Sequence, residues 1–197
     1  MSSNIELLKS YISRNPTLSD SDISIRLGVA TKSVKKARES ICSDIQVNEV
    51  KNKVFNGYKK SCHTLCKFDS NTEKIFAIIL ENDKDVLKWL RPSPRQFNIY
   101  YGTGGISRYE PDFIVETAKN IYMVETKASN ELQSKEVLEK AEAAKVYCMA
   151  ASDWNKDHAG KPWSYLLISH DEVRINSSFK YLAANKVPDN QLTLDFE

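Results

Sequence analysis

The sequence predicts a mixed α/β (α+β) chain in two parts, a small all-helical module followed by a core with the order αβββαβ. Apolar residues recur at helical spacing three times between Ile5 and Ile41. Further on, the β-rich runs FNIYY, YEPDFIVET and IYMVETK lie between two amphipathic helical stretches, and a last run, WSYLLIS, follows the second. Charge divides at the same place. Residues 1–60 hold 11 Lys/Arg against 6 Asp/Glu, whereas residues 61–197 hold 17 against 20. A basic module joined to a mildly acidic body suggests that the first part meets a polyanion.

The 197 residues suffice for one ordinary domain and a small second one. With 41% apolar and 27% charged residues the composition is globular. No apolar run approaches the ~18 residues of a membrane helix. The start, MSSNIELLKSYISRN, lacks a basic segment followed by an apolar one, so it does not read as a secretory signal, and a cytoplasmic location is expected. Cys42, Cys62, Cys66 and Cys148 are too few and too irregular for a disulfide framework, so reduced thiols are expected. Cys62, His63 and Cys66 could offer zinc ligands, but no second Cys or His pair follows at finger-like spacing.

Taken in order, Ile5, Leu8 and Ile12 predict a first helix that Asn15-Pro16 ends, because the residue before proline leaves the helical region. Ser19 or Ser21 caps a second helix with Asp20 and Asp22 in its first turn and Ile23, Ile25 and Leu27 as apolar residues; Gly28 supplies the turn. Thr31 caps a third helix, in which Val34, Ala37 and Ile41 face inward and Lys32, Ser33, Lys35, Lys36 and Arg38 face outward. This is the grammar of a helix-turn-helix, whose third helix would lie in a major groove of DNA; the competing reading is a solvated basic face on a three-helix bundle. IQVNEVKNKVFNGY then reads as two short strands around Lys51-Asn52, either a wing or the connection to the next domain. The boundary falls between a module at 1–57 and a domain at 58–197.

SNTEKIFAIILEN predicts the first core helix, with Ile75, Phe76, Ile79 and Leu80 apolar, and VLKWLRPSP closes that region with two prolines. FNIYY, YEPDFIVET and IYMVETK are the three strands. Residues 133–151 form a long helix through Val137, Leu138, Ala141, Ala144 and Cys148, and WSYLLIS is the last strand. GTGG is a hairpin turn: a phosphate-binding loop needs Gly, four residues, then Gly-Lys-Ser/Thr, and no position supplies that, so no ATP site is expected.

The chemistry concentrates in Tyr109–Lys127. With Lys119-Asn120 as a two-residue loop, Asp112 stands opposite Lys127 and Ile114 opposite Glu125, which puts Asp112, Glu125 and Lys127 on one face at one end of the hairpin. Two carboxylates and a lysine so placed suit phosphodiester hydrolysis, with Mg²⁺ bound by Asp112 and Glu125 and Lys127 positioning water or stabilising negative charge. An exposed Asp-Lys pair across a structural hairpin explains the spacing equally well.

Pro111-Asp112, twelve residues, then Glu125-Thr126-Lys127 resembles the PD-(D/E)xK nuclease motif, and αβββαβ is that superfamily's core order. KFDSNTEKIFAIILEN, YEPDFIVE, IYMVETKA, KAEAAKVYCMAAS and KPWSYLLISHDEV together resemble the carboxyl-terminal endonuclease domain of type III restriction enzymes, over about residues 58–185. The resemblance implies a restriction-endonuclease-like fold and Mg²⁺-dependent cleavage of double-stranded DNA, leaving a 5′-phosphate and a 3′-hydroxyl, with Mn²⁺ able to substitute. It makes Asp112 and Glu125 the metal ligands, Lys127 the catalytic lysine, and Glu73 an acid that orients metal-bound water. Glu110 and Glu116 are scaffold or minor electrostatic contributors; Tyr109 packs or touches DNA; Lys140 and Lys145 meet phosphates or solvent. Type III restriction subunits carry a helicase motor, which the helix-turn-helix module replaces here. Either the chain is a nuclease with its own DNA reader, or a helicase or methyltransferase subunit is encoded separately; a homodimer would bring two sites to two strands. The competing functions are a DNA-binding regulator or assembly factor without chemistry and a transposon-end nuclease.

Overall fold

The computed structural model describes residues 4–15, 18–43 and 47–184. The chain divides into two compact units, residues 1–59 with 64–71 and residues 60–63 with 72–197. No helix among the described residues is long and apolar enough to cross a membrane.

The smaller unit contains helices α1 (Asn4–Arg14), α2 (Asp20–Leu27) and α3 (Thr31–Ser43). Leu8, Ile12, Ile23, Val34 and Ala37 form their core. Ser19 caps α2: its hydroxyl accepts from the Asp22 amide (3.1 Å), and Asp22 accepts from the Ser19 amide (3.2 Å). Ile25 is 81% exposed rather than inward. The side chain of Ile41, expected to face inward, lies outside the described residues. The expected strands around Lys51-Asn52 are not formed. Val47–Asn52 coil into a short 3-10 helix that buries Val50 completely, and strand β1 (Phe55–Asn56) pairs with β2 (Leu65–Cys66) instead.

In the larger unit, α4 (Asn71–Asn82) precedes β3 (Val86–Leu90). β4 (Ile99–Tyr101) and β5 (Ser107–Tyr109) make a separate hairpin, after which come β6 (Phe113–Thr117), β7 (Ile121–Lys127), α5 (Lys135–Asp157), β8 (Trp163–Ser169) and α6 (Phe179–Ala184). The sheet runs β3-β6-β7-β8, antiparallel except for the parallel β7–β8 pair that α5 connects. The order αβββαβ holds, but its first strand is VLKWL; FNIYY belongs to the hairpin. One sheet face, with Ile114 and Met123, packs with the hairpin's Ile99 and Tyr109 and with Ala144 and Cys148 of α5. Leu138, expected among the inward residues of α5, is 47% exposed. On the other face Phe113 meets Phe76 of α4 (ring centroids 5.1 Å) and Trp89 (5.9 Å), and Phe179 of α6 packs on Phe76 and Tyr122.

Side-chain hydrogen bonds fix the corners. Where α5 turns toward β8, Asn155 donates to the Lys161 carbonyl (2.6 Å), and a Cβ on Gly160 would fall 2.5 Å from Asn155 Cγ, so a side chain there would displace the Asn155 amide. Asp83, after α4, accepts from the Phe179 amide (2.6 Å) and the Lys180 amide (3.3 Å) at the start of α6, while its other oxygen accepts from the Asp85 amide (2.8 Å). Asp83→Ala leaves those donors unmet and is expected to destabilise the larger unit by about 1–3 kcal/mol, and Asp83→Asn restores an acceptor on one side only, so it recovers part of the loss. All three tryptophans, Trp89, Trp154 and Trp163, lie in this unit, so a urea titration followed by tryptophan fluorescence reads the loss as a lower midpoint at unchanged slope.

Candidate active site

The β6–β7 register pairs Phe113 with Val124, Ile114 with Met123 and Glu116 with Ile121. That is two residues away from the register a two-residue loop predicts. The connection is longer because Thr117 closes it: its amide donates to the Asn120 carbonyl (2.9 Å), its hydroxyl donates to the same carbonyl (3.0 Å), and that hydroxyl accepts from the Asn120 amide (3.1 Å). A slip of two preserves the alternation of faces, so Asp112 and Glu125 stay on the face of Ile114 and Met123, with Asp112 now level with Glu125.

Pro111 explains why the ladder stops there. In this register residue 111 stands opposite Thr126, and proline has no N–H to donate. Asp112 takes over: its Oδ2 accepts from the Thr126 amide (2.8 Å) and hydroxyl (2.9 Å). Nothing in the sequence pattern singles out Thr126, the middle residue of Glu-Thr-Lys, as the support of Asp112.

Glu125 is only 4% exposed, within a run of four buried residues in the central strand. The Tyr109 hydroxyl donates to its Oε2 (3.1 Å), and Lys127 Nζ lies 3.0 Å from its Oε1. Burial raises the Glu125 carboxyl and the charge of Asp112 adds to it; Lys127 and Tyr109 oppose them, and the balance leaves it pushed up to about 7. Burial works to lower the Lys127 ammonium, but Glu125, Asp112 and Glu131 outweigh it and hold it above the ordinary lysine value. Tyr109, driven well above the usual tyrosine value by burial and then by Glu125, remains a protonated donor. It packs and holds Glu125 rather than facing solvent.

Glu73 approaches the same end of the sheet from the opposite face. Its Oε2 lies 2.5 Å from Nη1 of Arg91, whose guanidinium sits 5.9 Å from the centre of the Phe113 ring. Phe113 points away from Asp112, so Glu73 does not share the face of Asp112, Glu125 and Lys127. Lys140 of α5 pairs with Glu136 (2.6 Å) and lies over the Tyr101 ring; Lys145 is half-buried. Glu116 holds Lys161 (2.6 Å) and Glu110 accepts from the Arg95 amide (2.9 Å). In the smaller unit Lys32, Ser33, Lys35 and Lys36 are exposed. Arg38 is not free in the same way: its Nε lies 2.5 Å from Asp20, and Nη2 donates to the Leu18 carbonyl.

Among the described residues no cluster of three or more His, Cys, Asp or Glu forms. Asp112 and Glu125 are a pair of oxygen donors whose mutual repulsion a hard cation would relieve, and they fit Mg²⁺, which commonly binds through one or two carboxylates with phosphate and water. The raised Glu125 value has a measurable consequence in metal-free protein. Because its folded-state value exceeds the usual 4.5, its contribution to stability is full below that value and is lost as pH rises through about 7. Asp112→Asn removes the repelling charge, so the Glu125 carboxyl midpoint, read by carbon NMR, is expected to fall, and the loss of thermal stability between about pH 5 and about pH 8 to shrink.

Residues 59–157 match the family model of an endonuclease domain, a span that runs from before α4 through α5 and includes Glu73, Asp112, Glu125 and Lys127. A search of curated proteins found no match. The matched span covers half of the chain, with every residue of the candidate site and three of the four strands of its sheet, and the chain thus belongs to the endonuclease-domain family, its larger unit being a restriction-endonuclease-like nuclease domain.

Proposed function

We propose that the protein is a Mg²⁺-dependent DNA endonuclease of the type III restriction kind, guided by its amino-terminal helices acting as a helix-turn-helix reader. The observation that carries this reading is the convergence of Asp112, Glu125 and Lys127 at one end of β6 and β7 in a chain of the endonuclease-domain family. Asp112 and Glu125 would hold the cation. When bound, the metal supplies positive charge at the phosphate and acidifies a coordinated water.

The chain's own groups do the rest. Thr126 fixes Asp112 by two hydrogen bonds, both to Oδ2. Tyr109 and Lys127 hold the two oxygens of Glu125. The Lys127 ammonium, about a quarter exposed, is the charge able to reach a phosphate oxygen and stabilise it as negative charge develops. Glu73 serves indirectly, by fixing Arg91 against the other face of the sheet.

Supercoiled plasmid incubated with the purified protein and Mg²⁺ or Mn²⁺ is expected to be nicked or linearised. Asp112→Ala, Glu125→Gln and Lys127→Ala are each expected to lower the rate by at least ~10²-fold. Cleavage that persists unchanged in Asp112→Ala overturns the site assignment. Binding without cleavage under every metal condition leaves the regulator reading in its place.

Reading is separable from cutting. Lys32, Lys35 and Lys36 present exposed charge on α3, whereas Arg38 is engaged with Asp20 and Leu18. Replacing the three lysines with alanine is expected to weaken DNA binding and reduce the slope of log affinity against log salt by up to about three, measured by fluorescence anisotropy. An unchanged slope removes α3 as the reader.

A further inference from the structure

The β4–β5 hairpin lies outside the main sheet, yet it is tied to the site through both strands. Ile99 pairs with Tyr109, Tyr100 with Arg108 and Tyr101 with Ser107. On the inner side Ile99 and Tyr109 are buried, Tyr109 donates to Glu125, and Tyr101 donates to Glu136 of α5 (3.1 Å) with Lys140 5.2 Å from its ring centre. The hairpin is thus held in a fixed place beside Glu125 and Lys140.

The outer side has no such structural employment. Tyr100 is 49% exposed and supports Arg108, whose guanidinium lies 5.6 Å from the ring centre and donates to the phenol oxygen (3.2 Å). At the tip, Ile106 is 85% exposed, more than any other large apolar side chain among the described residues. The turn before it puts Gly102, Gly104 and Gly105 at φ of 79°, 77° and 61°, a path that side chains resist, and leaves the tip slender. An isoleucine this exposed contributes almost nothing to folding by burial.

We propose that this hairpin is a DNA-binding arm, with Arg108 on a backbone phosphate and Ile106 entering the groove of the duplex next to the scissile bond. The proposal rests on the nuclease reading of Asp112, Glu125 and Lys127. Ile106 lies six positions before Asp112, a span of at most ~20 Å, or about six base pairs of B-form DNA. Two-stranded ribbons enter DNA grooves, and apolar side chains are used as wedges between base steps. The arm's outer face carries the cation Arg108, and its apolar tip is a single side chain rather than a broad patch. Those features suit a polyanion with a groove better than a protein surface.

The test uses the full chain in metal-free buffer, so that DNA stays intact. A photo-crosslinking residue replaces Ile106 in one preparation and Tyr181 in another; Tyr181 is 59% exposed on α6, across the sheet. Crosslinking to a labelled duplex is expected at position 106 in clear excess over position 181. Arg108→Ala is expected to weaken binding about fivefold and lower the salt slope by about one, while Arg108→Lys keeps the slope and Ile106→Ser weakens affinity without altering it. No excess crosslinking at 106, or an unchanged slope in Arg108→Ala, overturns the arm even if the wild type cleaves DNA. Crosslinking at 106 in the substituted protein, together with a wild-type protein that cuts nothing with any metal, supports the arm as a binding surface and overturns the nuclease reading instead.

Discussion

A carboxylate buried in the central strand of a four-stranded sheet governs how the larger unit is built. Glu125 stands where an apolar side chain would be the stable choice, and the charge can be kept there only with partners on every side. Lys127 from the same strand and Tyr109 from the hairpin hold its two oxygens, while the like charge of Asp112, from the start of β6, works against its ionisation. The hairpin, the end of the β6–β7 ladder and the face occupied by α5 are all organised around that one group.

The motif residues were legible in the sequence because strand alternation has a period of two. The expected hairpin was two residues out of register, yet Asp112, Glu125 and Lys127 remained together, since a slip of two changes which residues are opposite and not which face they occupy. The length of the turn was not legible because it depends on one hydroxyl, that of Thr117, reaching across to Asn120. The first core strand was also hidden. A bulge between Val86 and Lys88 breaks its alternation, and the prolines after it suggested a terminus, while FNIYY advertised itself as the better strand and serves only in the small hairpin.

Long-range polar partners were the other blind spot. Arg38 looks like one more cation on a basic helix until the fold brings Asp20 and the Leu18 carbonyl to it. Tyr109 stands three residues before Asp112, but a phenol's inward orientation and its bond to a carboxylate sixteen residues away leave no trace in composition or spacing. Glu73 was visible as an acid on the first core helix, whereas its commitment to Arg91 follows from β3 being a strand at all.

Asp112 and Glu125 differ in how an ageing sequence would treat them. Asp112 repairs the gap that Pro111 leaves in the ladder by accepting two hydrogen bonds from Thr126, so a lineage that had abandoned its chemistry would still gain from keeping it. Glu125 bonds to Tyr109 and Lys127, but its burial opposes folding at neutral pH. Under relaxed selection the glutamate would be among the first to drift toward glutamine or an apolar residue, with the aspartate outlasting it as a fossil. In distinguishing living members of such a lineage from relics, the residue at position 125 is the more truthful witness.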